Sequence, residues 1–345
     1  MQSRLKFVFG FIILLLLGAA GYFVFFRGHA RPNGPAPGPV PSIIALLPAE
    51  APVFAYFDIT TLRNSQLSAE LSALAGTPAS DQEYAELVRQ TGFDYERDLD
   101  RAALAIWPGS STSTALAIAE GRFDRQKIAQ YALRSGRVTQ RQNLDVYEVP
   151  VNAPTQDGRG KTTKMISFTF LAADRVALAD GASLDSVINH ASSNASDAAL
   201  RTRIGRVAGA AIFITARSTA LPQDLSAMGI KSGQIERILR SIQYLNLAGR
   251  PAGDQLKVEA EAECDSVANA LQLSTVLDGL RWIGNAALAD PKNRRQMQPQ
   301  EAALLDALLR LLEVSREGKV VRLKVNLTPE MLGTPSKPAQ QKSTK

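Results

Sequence analysis

The chain has 345 residues, of which 45% are hydrophobic and 21% charged, with one cysteine and a net charge of +6. One cysteine excludes an intramolecular disulfide, and the composition is that of a folded chain rather than a disordered one. Residues 1–42 carry +4 and residues 334–345 carry +3, so the part between is −1 and has no electrostatic footprint for a phosphate backbone, which excludes nucleic acid as a partner.

Residues 7–26 are twenty residues without a charge. A helix of that length spans roughly 30 Å, the hydrocarbon thickness of a bilayer. Gly18-Ala19-Ala20 resembles a small-residue cleavage site, but cutting there leaves Gly21-Tyr22-Phe23-Val24-Phe25-Phe26 as a greasy new terminus. An uncleaved signal-anchor is therefore expected, with Tyr22 and the nearby phenylalanines at the headgroup level. Arg4 and Lys6 on one side match Arg27 and Arg31 on the other, so the positive-inside count is a tie. A short basic tail, one apolar segment and a long polar chain is the order that leaves the N-terminus inside and exports the rest. Gly18 meets Tyr22, and Gly21 meets Phe25, at i+4, so the span carries no small-xxx-small dimer signal.

The expected organisation is a cytoplasmic tail at 1–6, a transmembrane helix at 7–26 and a linker at 27–42 stiffened by Pro32, Pro35, Pro37, Pro39 and Pro41. A first α+β domain at 43–221, a second at 222–333 and a disordered basic tail at 334–345, with Lys337, Lys342 and Lys345, complete it. This places a single-pass protein in the plasma (inner) membrane with its C-terminal domains extracytoplasmic.

In chain order, residues 51–59 predict a strand central in its sheet, followed by helices at 65–74 and 82–91, the second stopped by Gly92. Strands follow at 102–107 and 114–120, then a helix capped by Asp124 with Ile128, Tyr131 and Ala132 on one face. Strands at 144–151, 164–171 and 175–179, helices at 183–190 and 197–207, and a strand at 210–216 complete the first domain, with an antiparallel sheet as the default. In the second, a helix at 234–239 precedes strands 242–248 and 256–264, joined by the connector "GRPAGD". Asp265 is expected to cap a long helix with Ala270, Leu273, Val276, Leu277, Leu280, Ile283 and Ala287 on its apolar face. Pro299 opens another helix carrying Leu305, Leu308, Leu309 and Leu312, and Val321, Leu323, Val325 and Leu327 form the closing strand of a second sheet under the two helices. "ALAIAEGRFDRQKIAQYAL" and "KVEAEAECDSVANALQLS" echo each other as strand, cap and helix.

Most tempting motifs fail on geometry. "DGRGKTT", residues 157–163, lacks the glycine of a phosphate-binding loop, having Thr155 there, and runs into a strand pattern instead of a helix; a polar hairpin loop explains it. Asp94, Glu96, Asp98 and Asp100 alternate as in a calcium loop, but Leu99 and Ala105 stand where glycine and the bidentate glutamate belong, so "DYERDLD" reads as a solvated turn with Arg97 and Arg101 as counter-charges. Glu259, Glu261 and Glu263 predict an acidic row on an exposed strand face, answered by Arg322 and Lys324 if the strands are neighbours. Cys264 ends an alternating apolar run and is expected to be a buried structural thiol. There is no G-x-S-x-G elbow and no H-E-x-x-H helix, and Ser3-x-x-Lys6 lies in the membrane-proximal tail. His29 is in the linker, and His190, the remaining histidine, sits at a helix end where capping is the usual role. No catalytic residue, metal ligand or cofactor is assigned.

"LLPAEAPVFAYFDITTLRNS", "TGFDYERDLDRAALAIWPG" and "ALAIAEGRFD" resemble, as an ordering of phrases over residues 43–187, the opening of uncharacterised bacterial proteins with one N-terminal span and a large exported α+β region. The resemblance implies architecture and carries no functional residues. The expected function is a non-enzymatic binding or scaffolding module of the cell envelope, partnered by the lipid bilayer through residues 7–26 and by an envelope protein. The alternatives are a membrane-tethered enzyme with a carboxylate-based site, or a carrier of a hydrophobic ligand. A large apolar pocket favours the carrier, converging carboxylates with shifted titration the enzyme, and one apolar patch on a polar surface the scaffold.

Overall fold

A computed structural model describes residues 41–69, 82–109, 113–154, 161–190, 198–221, 233–291 and 299–332. The apolar run at 7–26, nearly all of the linker, much of the helix expected at 65–74 and the basic tail lie outside the described residues. Among the described residues no helix is long and apolar enough to cross a membrane.

The chain is α+β, built on one antiparallel sheet of twelve strands in the order β11-β12-β10-β9-β8-β1-β2-β3-β7-β6-β5-β4. The first strands are β1 (Val53–Asp58), β2 (Leu99–Trp107) and β3 (Thr114–Gly121), with helices α1 (Ile59–Arg63), α2 (Gln82–Thr91) and α3 (Tyr95–Asp98) between β1 and β2. Helix α4 (Arg125–Ala132) follows, then β4 (Arg137–Arg141), β5 (Leu144–Pro154), β6 (Lys161–Ala172), β7 (Arg175–Asp180), α5 (Asp185–His190), α6 (Ala198–Val207) and β8 (Ile212–Arg217). The remainder is α7 (Gly233–Arg240), β9 (Ile242–Ala252), β10 (Gln255–Cys264), α8 (Val267–Ala289), α9 (Pro299–Leu311), β11 (Glu313–Glu317), β12 (Val320–Leu327) and α10 (Pro329–Leu332).

Local chemistry places several of these ends. Asp124 caps α4 as expected, accepting the Lys127 N–H at 3.1 Å, and Gly92 follows α2 at φ +75, the left-handed conformation that ends a helix with least strain in glycine. The cap of α8 is Ser266, one residue past the expected Asp265. Its hydroxyl accepts the Asn269 N–H, while Asp265 accepts from the Asn269 side chain. The "GRPAGD" connector is mostly strand: β9 and β10 run through it and turn only at Gly253-Asp254, with Gly253 at φ +65.

β1 is central as predicted, paired with β2 on one side and β8 on the other. The expected second sheet does not exist as a separate layer. β9, β10, β12 and β11 continue the first sheet because β8 pairs with β9 from Ile212↔Gly249 to Arg217↔Tyr244. β8 is paired with β1 and β9, and β9 with β8 and β10, so neither strand has a free backbone edge, and Phe213 and Ala248 are buried where they meet.

The order repeats about the β1–β8 pair. Going outward, β1-β2-β3-β7-β6 on one side corresponds to β8-β9-β10-β12-β11 on the other, and α4 follows β3 as α8 follows β10. β4 and β5 extend the first half alone. The two echoing phrases fall on the equivalent units β3–α4 and β10–α8.

One face of the sheet centre carries Phe54, Tyr56, Ala103, Leu116, Ile118 and Phe213, packed under Ile43, Ile44 and Leu47, Val187 and Ile188 of α5, and Ile204 and Val207 of α6. The opposite face carries Tyr147, Phe168, Phe170 and Val176 against Ile128, Ala129 and Ala132 of α4. On that same face of the second half, Leu247, Ala260, Ala262, Val321, Leu323, Val325 and Leu327 pack under Leu273, Leu277 and Leu280 of α8 and Leu305 and Leu309 of α9. α8 and α9 approach closely at Gly284, where an added Cβ would lie 2.8 Å from Leu309 Cδ1.

Cys264 is buried as expected, and burial pushes its thiol up from the usual value. We expect it to resist a thiol-reactive dye in the native protein and to react only on global unfolding. Reaction at the rate of a free thiol in native buffer would contradict its place in the core.

Candidate functional site

Most of the acidic residues singled out in the sequence are held in ion pairs or hydrogen bonds. β10 pairs with β12 as anticipated, with Glu259 opposite Lys324 at 3.6 Å and Glu261 on Arg322 at 3.1 Å. The row is nevertheless not on an open face: α6 lies over it, and Arg206 reaches Glu261 at 3.0 Å and Glu263 at 2.6 Å. Asn246 adds a 3.5 Å contact to Glu261, which is only 9% exposed. Arg206 lies 55 residues from Glu261 in the chain, a separation that strand periodicity cannot bridge.

"DYERDLD" is likewise no solvated turn. Asp94 caps α3, accepting the Glu96 N–H at 3.0 Å, and Asp98 is buried against Arg97 at 2.6 Å and Arg122 at 3.4 Å. Asp100 takes a hydrogen bond from Thr60 at 3.1 Å. Lys161, Thr162 and Thr163 of the "DGRGKTT" stretch open β6, and the rest of it lies outside the described residues. His190 ends α5, and His29 lies outside the described residues.

Among the described residues, two clefts have charged rims. One, of about 280 Å³, is lined by Pro41, Ser42, Tyr56, Asp58, Arg101 and Glu120. Arg101 bridges Asp58 at 3.7 Å and Glu120 at 3.3 Å, and Arg175 holds Glu120 at 2.6 Å. Burial, with the Asp58 charge behind it, pushes the Tyr56 phenol up to about 12, so it stays protonated near neutrality. The other cleft, of about 250 Å³, has Arg125 5.1 Å above the Phe170 ring and Tyr147 on its wall. Neither is a large apolar cavity. Among the described residues no three His, Cys, Asp or Glu side chains group to hold a metal.

Among the described residues, where carboxyl titration is displaced it is displaced downward: Asp98, Asp124, Asp185, Asp265 and Glu317 are each held low, chiefly by hydrogen bonds from neighbouring side chains. A general acid working near neutrality needs the opposite shift.

The outer face of α8 is different in kind. Its exposed positions are Val267, Ala268, Leu271, Gln272, Thr275, Asp278, Trp282, Ile283, Ala286 and Ala289, a row with a single charge. Trp282 is 72% exposed, Val267 and Leu271 52% each, and Ile283 46%. Ile283, expected on the core side, points outward. The helix is apolar nearly all round, so its periodicity does not fix which side faces in. The equivalent helix α4 exposes Arg125, Gln126, Lys127 and Gln130, which is what a helix at this place in the fold needs for solubility. The apolar exterior of α8 is therefore not a demand of packing. The large apolar side chains fall in two groups, Val267 with Leu271 and Trp282 with Ile283, separated by Gln272, Thr275 and Asp278; single exposed apolar residues are ordinary, whereas grouped ones are a feature of interaction surfaces.

These features define an α+β body with an exposed, largely apolar helix face and, among the described residues, acidic clusters held in ion pairs. No protein-family model matches the chain, and no curated protein matches it. Among solved structures it is similar to crystal form I of TP0453, with a TM-score of 0.47 and 8% identity over 84% of this chain and 94% of that one. Crystal form III of the same protein gives 0.45 and 10% over 84% and 95%. At this distance neither activity nor site residues transfer.

Proposed function

We propose that the protein is a non-enzymatic binding module of the cell envelope, held in the plasma membrane by residues 7–26 with its folded body outside the cytosol. The exposed apolar face of α8, centred on Trp282, carries this reading, because it offers contact area and no reacting group. The paired state of the acidic clusters among the described residues supports binding over carboxylate catalysis, and the two clefts described above are charged at their rims, unlike the apolar pocket that a hydrophobic-ligand carrier needs.

Protease added to spheroplasts is expected to digest the body and leave a short membrane-protected fragment, and mass spectrometry of the intact protein is expected to retain the sequence before Gly21. A mature chain starting at or beyond Gly21, or a body that resists protease until the membrane is lysed, would refute the anchored arrangement.

A further inference from the structure

We infer that the occupant of the outer α8 face is the lipid surface of the membrane that holds the chain, so that the body lies on this helix instead of hanging free. The inference rests on the anchored reading above and adds an orientation to it.

The chain outside the structure makes the contact reachable. Between the apolar run and Pro41 lie fourteen residues, 27–40, rich in proline. Extended at about 3.1 Å per residue, they reach roughly 43 Å. The tether joins the body at the cleft that also contains Asp58, at the end of β1, and Ala211, just before β8, so it leaves at the rim where strands end. From β1 to β10, the strand under α8, is three strand spacings, about 14 Å, and the tether side and the α8 side are each roughly 10 Å from the sheet plane. The required path of roughly 30 Å is within the tether's reach.

The chemistry of the face selects lipid over protein. Twenty-three residues of helix give a strip about 34 Å long and roughly 10 Å wide, some 340 Å². A stable dimer of this chain through that strip needs about 800 Å² from each partner. Specific protein interfaces also place a hydrogen bond every 100–200 Å² or so and ring the centre with polar groups. Along this strip the one charge is Asp278, with Arg281 3.9 Å away, Thr275 donates its hydroxyl back to Leu271 O at 2.9 Å, and Gln272 is the one further exposed polar side chain. A lipid surface sets no area threshold and no directional requirement, and it takes tryptophan at the headgroup level. The core side of α8 stays on the sheet through Leu273, Leu277 and Leu280, so the helix rests on the bilayer and does not enter it as a span.

The chain has two tryptophans, Trp107 and Trp282, which makes the test direct. Full-length protein is reconstituted into phosphatidylcholine vesicles with or without brominated acyl chains. Trp107→Phe reports Trp282, and Trp282→Phe reports Trp107, which packs beside the first-half core. Emission from Trp282 is expected to fall at least about twofold in brominated vesicles while that from Trp107 changes little. Leu271→Glu with Ile283→Glu, both at exposed positions, is expected to abolish the quenching while the chain still floats with the vesicles. Flotation without quenching of Trp282 overturns the inference and leaves the anchor standing. Failure to float overturns the anchor and this proposal with it. Shielding of Trp282 that instead grows with protein concentration in detergent identifies a second copy as the occupant, and also overturns it.

Discussion

Replacing Glu261 by alanine is expected to lower folding stability by about 3 kcal/mol, the largest effect anticipated for any polar side chain of the protein. The carboxylate is almost fully enclosed and joins three elements: Arg206 of α6 at 3.0 Å, Arg322 of β12 at 3.1 Å and Asn246 of β9 at 3.5 Å. Removing it leaves two half-buried guanidinium groups short of a partner. Arg206 keeps Glu263 at 2.6 Å and Arg322 keeps Glu317 at 2.7 Å, which holds the loss at the low end of the range of about 3–5 kcal/mol for breaking a buried pair. Urea unfolding should show a lower midpoint with an unchanged slope. A loss under about 0.5 kcal/mol would mean that water already solvates the cluster.

The second large effect is at Asp98. Arg97 bonds its carboxylate most strongly, and the Asp94 N–H and Arg122 assist, so the carboxyl is held well below the usual carboxylate range despite its burial. Since the folded-state value lies below the unfolded one, ionised Asp98 stabilises the fold above about pH 4, and that contribution drains away as the pH falls towards the folded value. Asp98→Asn is expected to cost about 2 kcal/mol at neutral pH, less than at Glu261, because Arg97 and Arg122 have most of their surface in water and can be rehydrated. The stability curves of the two proteins should converge below about pH 4; parallel curves would show that the carboxyl is not held low.

Which parts of this molecule its sequence announces follows from burial geometry. β12, "VVRLKVNL", alternates buried and half-buried along its whole length and is legible by inspection. β4, "RVTQR", is exposed at all five positions, and β11, "EVSRE", at all but Val314, so neither has a buried face to leave a pattern. They are the two edges of the sheet, where charged, short strands deter pairing with another chain. The cross-strand pairs of Glu259 and Glu261 were readable because both partners belong to alternating strands, whereas the arrival of Arg206 depends on how α6 crosses the sheet. The α8 surface is harder still. Its inner leucines repeat correctly, but apolar residues on the outside dilute the contrast that marks a face, and Trp282 has no neighbour in sequence that singles it out.

The seating of residues 43–47 has a mechanical consequence. Ile43, Ile44 and Leu47 are among the most deeply enclosed side chains of the protein, in contact with the same cluster as Phe54, Tyr56 and Phe213. A pull applied to the chain at Ile43 therefore arrives at the middle of the sheet, on the two strands about which both halves repeat. Such a load meets deeply enclosed packing first, and the peripheral strands β4 and β11 bear none of it directly.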